Sequence, residues 1–180
     1  MKSSYDFVIF KPQTPKSHLM KKLIVLLAIA WFGLSNVNAQ EFKIGASLGI
    51  PAADAADISS FVLGVDAYYY FTKQDAFFQF GANVGFRNFF IDSDYDILDI
   101  KDGQFLPISA AARLKIFGIL SGGADVGYAV GISDYLDGGF YIRPIIAVDV
   151  LDILELNMSY ESISDEATWG NFNVGFLFQF

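Results

Sequence analysis

From Glu41 to Phe180 the chain alternates. Apolar residues fall at every second position, separated by glycine, polar or charged residues, through eight successive segments. The last is the most regular: in WGNFNVGFLFQF, Phe172, Val174, Phe176, Phe178 and Phe180 stand two apart, with Asn171, Asn173, Gly175 and Gln179 between them and Leu177 as the exception. A period of two belongs to strands, whose successive side chains leave on opposite faces. Each segment is therefore a strand with one apolar and one largely polar face. The alternation places strands at 41–51, 58–71, 76–91, 104–117, 119–132, 140–150, 153–163 and 169–180. No stretch among them has helical periodicity. Pro107 falls inside the fourth segment, which suits a strand end or a bulge. The predicted class is all-β: an eight-stranded antiparallel up-and-down barrel, because closure is how eight amphipathic strands remove their edges.

Connections alternate in length. Thr72–Asp75, the turn at Gly118 and the turn near Leu151–Asp152 are short. Ala52–Asp57, Asp92–Gly103, Ser133–Gly139 and Ser164–Thr168 are longer and rich in aspartate. An up-and-down meander sorts these two sets to opposite ends.

Two barrels fit the alternation. With apolar faces inward, the chain is a soluble, lipocalin-like cup that holds a ligand. With apolar faces outward, it is a transmembrane barrel. The polar face favours the second. Glycine wastes an outward soluble position and weakens a strand, but makes room inside a narrow tube. That face carries Gly45, Gly49, Gly64, Gly81, Gly85, Gly123, Gly127, Gly131 and Gly175. It also carries both signs of charge: Lys43, Arg87, Arg113, Lys115 and Arg143 against Asp66, Asp125, Asp149, Glu155 and Glu161. A closed lumen holds such a set as paired charges, whereas an isolated buried charge costs several kcal/mol. The aromatics of the other face gather toward strand ends, with Phe42, Tyr69, Phe71, Phe78, Phe80 and Phe178 at one end and Phe61, Phe90, Phe140, Tyr160 and Trp169 toward the other. Two interfacial girdles have this pattern.

The first forty residues differ in kind. Met20-Lys21-Lys22 precedes the apolar run Leu23–Leu34, followed by Ser35-Asn36-Val37-Asn38-Ala39-Gln40. A basic start, a twelve-residue apolar run and a Val-x-Ala site describe a secretory signal peptide at 20–39, cut between Ala39 and Gln40. The run is shorter than the roughly 20 residues of a membrane-spanning helix. Residues 1–19 fit neither signal nor fold and are expected to be an upstream extension, with Met20 the true start. Residues 40–180 form the barrel domain.

With these features in place, the chain resembles the small eight-stranded outer-membrane β-barrels of the OmpA/OmpX-like, porin-family type over 40–180. The terminal Phe172-x-Val174-x-Phe176-x-Phe178-x-Phe180 is similar to the C-terminal signal that the outer-membrane assembly machinery reads, with Phe176, Phe178 and Phe180 at its end. The resemblance implies a bacterial outer-membrane location, both termini in the periplasm and the long acidic loops outside. It implies contact with membrane lipid and lipopolysaccharide, and a monomer. A departure is expected as well: nothing after Phe180 corresponds to the peptidoglycan-binding domain of full OmpA proteins.

Chemistry is sparse. There is no cysteine, and the single histidine, His18, precedes the leader. A serine or thiol nucleophile after the leader lacks its usual base, so no enzyme and no cofactor are expected. Asp92, Asp94 and Asp96 are the one candidate metal cluster. Ile97 and Gly103 stand where a calcium loop needs glycine and glutamate, and a solvated acidic loop is the plainer reading. Gly122-Gly123-Ala124-Asp125-Val126-Gly127 is followed by no helix and is not a phosphate loop. The 180-residue chain carries a net charge of −8. Five of its 12 basic residues and one of its 20 acidic residues precede position 40, which leaves 7 against 19, or −12. Such a surface excludes nucleic acid, whose binding rests on neutralising phosphates. The expected role is a structural or surface-interaction barrel. The alternative is a narrow pore for ions or small solutes, and the third reading is the soluble ligand-binding barrel.

Overall fold

A computed structural model describes residues 41–92, 102–164 and 167–180. The leader, the Ala39–Gln40 cleavage site and the 1–19 extension lie outside the described residues. Eight strands follow one another: β1 (Glu41–Ala53), β2 (Ser59–Tyr70), β3 (Phe78–Ile91), β4 (Gly103–Ile116), β5 (Leu120–Gly131), β6 (Gly138–Leu151), β7 (Leu154–Ser164) and β8 (Thr168–Gln179). Each pairs antiparallel with its sequence neighbour, and β8 closes on β1, giving one closed barrel in sequence order. At the closure, Ala46 lies opposite Phe176 and Leu48 opposite Val174. The strands run 11–14 residues. A membrane-crossing strand tilted by about 45° needs about 9–11.

The alternation of the sequence is the alternation of exposure. Along β8, Phe172, Val174, Phe176 and Phe178 are exposed, while Asn171, Asn173, Leu177 and Gln179 are buried. The barrel is thus inverted relative to a soluble one. Its outer face is apolar, with Leu48, Ile146 and Met158 each more than half exposed, and its interior holds most of the polar and charged side chains. An outer face of this kind has no compensating environment in water, whereas hydrocarbon matches it.

Two prolines sit inside strands, at neither an end nor a bulge. Pro107 on β4 keeps its pairing with Ala129 of β5. On the β3 side the ladder skips from Ile108 to Phe105 with no change of register. Pro144 on β6 does the same toward β7, between Ile142 and Ile145. Proline lacks the N–H that a rung requires, so the rung is lost while the strand continues. The register shifts lie elsewhere, between Ser59 and Phe61 on β2 and between Asp149 and Leu151 on β6.

The connection 54–57 folds as a 3-10 turn, Asp54–Asp57, which buries Ala55. Asp54 accepts a hydrogen bond from the Thr168 amide at 2.7 Å, tying this connection to the start of β8.

Candidate functional site: a layered lumen

The lumen fills with side chains in three layers. The middle layer centres on Arg87. Its Nε donates to both carboxylate oxygens of Glu161 at 2.9 and 2.8 Å. Its Nη2 donates to Asp66 at 2.9 and 3.1 Å. Its Nη1 donates to the carbonyls of Val65 and Phe86, each at 3.0 Å. Arg143 reaches Asp66 from the other side, with Nη1–Oδ2 at 2.8 Å, and its Nε donates to the Ser159 hydroxyl at 2.9 Å. One carboxylate therefore serves two arginines. The Tyr141 hydroxyl donates to Glu161 at 3.0 Å and the Tyr68 hydroxyl to Asp125 at 2.7 Å. Arg113 pairs with Asp125 at 2.7 Å and lies over the Tyr68 ring at 5.5 Å. Its Nε and Nη2 are buried with no hydrogen-bond partner, so it is the least tied of the three arginines. Low dielectric strengthens these charge-assisted bonds and raises the cost of removing any one partner.

Space for this layer comes from glycine. A Cβ on Gly85 would stand 2.7 Å from the Asp66 Oδ1 and 2.9 Å from the Arg87 Nη1. The Arg87–Asp66 pair thus occupies the volume that a side chain at 85 would take.

The second layer lies at the end with the short turns, the start of β1 and the end of β8. Lys43 pairs with Glu155 at 2.6 Å and Glu41 at 3.2 Å, with its Nζ 5.3 Å from the centre of the Tyr70 ring. Lys115 pairs with Asp149 at 2.6 Å. Gln79 donates to Glu41 at 2.8 Å. Gln74, from the β2–β3 turn, donates to Gln179 and to the Asp152 carbonyl, both at 3.0 Å, and bridges two hairpins at this mouth.

The third layer, at the long-loop end, is apolar. Val62, Phe89, Phe105, Ala129, Tyr141, Ile163 and Trp169 pack together beneath Ala55. Phe89, Phe105 and Trp169 form a mutual edge-on trio, with ring centres 5.2–5.9 Å apart. A Cβ on Gly103 would meet the Trp169 ring at 2.7 Å, so this glycine seats the indole.

All of Lys43, Asp66, Arg87, Arg113, Lys115, Asp125, Arg143, Asp149 and Glu155 lie in the lumen, and the ion pairs join them into this network. Glu41, Tyr68, Tyr70 and Tyr141 complete it and were not among the charges singled out by the sequence. Trp169 departs from expectation. It is not a girdle residue but part of the inner plug, 8% exposed. The reason is parity: Trp169 lies an odd number of residues from Phe172, on the side of Asn171 and Asn173. Phe89 and Phe105 share that inward parity. Phe176 and Phe178 point outward, and the Phe180 backbone pairs with Phe42 through bonds of 2.9 and 3.3 Å. Asp92 is exposed, while Asp94 and Asp96 lie outside the described residues. Among the described residues, no group of three or more histidine, cysteine, aspartate or glutamate side chains is placed to hold a metal ion.

No protein-family model matches the chain, and no curated protein matches its sequence. Solved structures do match in shape. The outer membrane protein Ail of Yersinia pestis in a phospholipid bilayer nanodisc superposes with a TM-score of 0.54 at 12% identity, over 79% of this chain and 99% of that one. The crystal structure of Ail, the attachment invasion locus protein of Yersinia pestis, gives 0.52 at 15% identity, with the same coverage. Closed eight-strand topology, an apolar exterior and these likenesses converge, and the chain has the fold of the small eight-stranded outer-membrane β-barrels.

Proposed function

We propose that the protein is an integral outer-membrane barrel with a structural or surface-interaction role and a sealed lumen. The short turns face the periplasm and the longer acidic connections face outside. The observation that carries this reading is the double seal. The Arg87–Asp66–Arg143–Glu161 layer and the Phe89–Phe105–Trp169 plug lie one above the other. A solute would have to break several buried ion pairs and then part a close-packed apolar cluster. An eight-stranded barrel has room for its side chains and little else, so the reading as a pore is not favoured.

The placement of cations shapes the expected contact with lipopolysaccharide. Among the described residues, every lysine and arginine except Lys73 is in the lumen, and Lys73 belongs to a short turn. The exposed side chains of residues such as Phe61, Phe140 and Phe172 offer the acyl chains of lipopolysaccharide an apolar surface, while Lys101 lies outside the described residues. The C-terminal strand, ending in Phe176, Phe178 and Phe180, serves as the signal for the barrel-assembly machinery.

Envelope fractionation with heat-modifiable gel mobility tests the proposal. The protein is expected in the detergent-extracted outer-membrane fraction, with unboiled and boiled forms migrating differently. Recovery as a soluble periplasmic protein without detergent would overturn it.

A further inference from the structure

The outer apolar belt ends differently at its two edges. Toward the long loops, polar residues enter the outer face on four strands: Ser60 on β2, Gln104 on β4, Ser164 on β7 and Thr168 on β8. Toward the short turns, the last outward position of every strand is apolar, from Phe42 on β1 to Phe180 beyond β8. The apolar surface reaches the flanks of all three short turns, with Phe71 and Phe77 beside the β2–β3 turn 49% and 73% exposed, and at two of them it runs on into the turn residues themselves. The β4–β5 connection is Phe117-Gly118-Ile119, flanked by Ile116 and Leu120, with no polar side chain across five residues. Phe117 is 93% exposed and Ile119 61%. Leu151 and Ile153 extend the surface from the β6–β7 turn.

Phe117 also holds a conformation that disfavours it. Its φ is 55°, followed by Gly118 at 79°. Glycine and asparagine take the left-handed region at little cost, whereas a bulky residue there is an outlier. The strain gains no packing within the protein, because the side chain stands clear of it. By contrast, the β2–β3 turn reads Thr72-Lys73-Gln74-Asp75 and directs Gln74 to polar partners.

We infer that the β4–β5 hairpin tip is a lipid anchor. Phe117 and Ile119 are inserted in the phospholipid leaflet at the short-turn end, continuous with the lipid-facing belt. The barrel is seated deeper on its β4–β7 side, while the β2–β3 turn stays in water. A fully exposed aromatic tip joined to a lipid belt has a ready occupant in that lipid, and burial there offsets the backbone strain.

The inference rests on the proposed membrane reading, and one labelling series separates the two. The chain has no cysteine, so single-cysteine variants are unique sites. Phe117→Cys, Asp75→Cys and Ile146→Cys are spin-labelled, refolded into phosphatidylcholine–phosphatidylglycerol vesicles, and probed with oxygen and a water-soluble nickel chelate on both sides. Ile119→Cys serves as a second reporter of the same tip. The expected result is oxygen access with loss of nickel access at 117 and 146, and the reverse at 75. Nickel access at 117 with protection at 146 overturns the anchor alone. Nickel access at 146 overturns the membrane reading itself. A label at 117 exposed in vesicles but protected in native outer membranes also overturns the anchor, in favour of a periplasmic protein partner.

Discussion

Asp66 and Arg87 face each other inside the barrel at 2.9 Å, with the Arg87 side chain fully buried and Asp66 also holding Arg143 at 2.8 Å. This one carboxylate bridges two guanidinium groups contributed by β3 and β6, with Glu161 supplying the second negative charge, so it staples non-adjacent strands together. Asp66→Asn keeps the shape and removes the charge. It leaves two buried arginines with Glu161 as their remaining nearby carboxylate, and the expected cost is about 3–5 kcal/mol. Adding Arg143→Met should recover part of that loss, because one of the stranded cations is gone. Reversible urea unfolding in vesicles measures both. A loss below about 1 kcal/mol for Asp66→Asn would show that the layer is not held by charge.

Trp169 is the only tryptophan after position 40, which makes it a direct reporter of the plug. In the folded protein its emission is expected to be blue-shifted, shielded from acrylamide and insensitive to brominated lipids. Strong quenching by brominated lipids would place the indole on the outer girdle instead. Trp169→Ala is expected to cost about 3–5 kcal/mol, since it empties the centre of the Phe89–Phe105 pair.

The outward belt predicts a contrast between media. Ile146 is 63% exposed near the middle of β6. Ile146→Arg is expected to destabilise the protein in bilayers by about 2–4 kcal/mol, and much less in a small, adaptable detergent micelle. Equal stability of variant and parent in bilayers would contradict a lipid-facing position.

The terminal phenylalanine separates assembly from stability. Phe180 lies beyond the end of β8, 76% exposed, its ring centre 6.3 Å from that of Phe42. Phe180→Ser is expected to lower the yield of inserted protein in cells several-fold, while refolding in detergent changes by less than about 1 kcal/mol. An unchanged cellular yield would remove Phe180 from the assembly signal.

The architecture was legible because it rests on parity. A period of two assigns each residue to a face, and glycines with mixed charges on one face mark the inside of a narrow tube. Arg87, Arg143 and Asp66 are found this way without any structure. Two things were not legible. Which cation pairs with which carboxylate depends on strand tilt and stagger, which place Arg87 of β3 beside Glu161 of β7. The plug was missed because an aromatic near a strand end, such as Trp169, suggests a girdle, and Phe89 and Phe105 were assigned no role. For all three, parity overrides residue type, and Gly103 supplies the seat. Pro107 and Pro144 show a further limit, since a proline can delete a rung without ending a strand.

Single-channel recording in planar bilayers is the most direct test of the sealed lumen. The purified, folded protein is expected to give no steady unitary current, because the ion-pair layer and the apolar plug both close the path. Steady currents that change in amplitude on substituting Arg113 or Asp125 would contradict the account and establish a conducting pore through the charged layer.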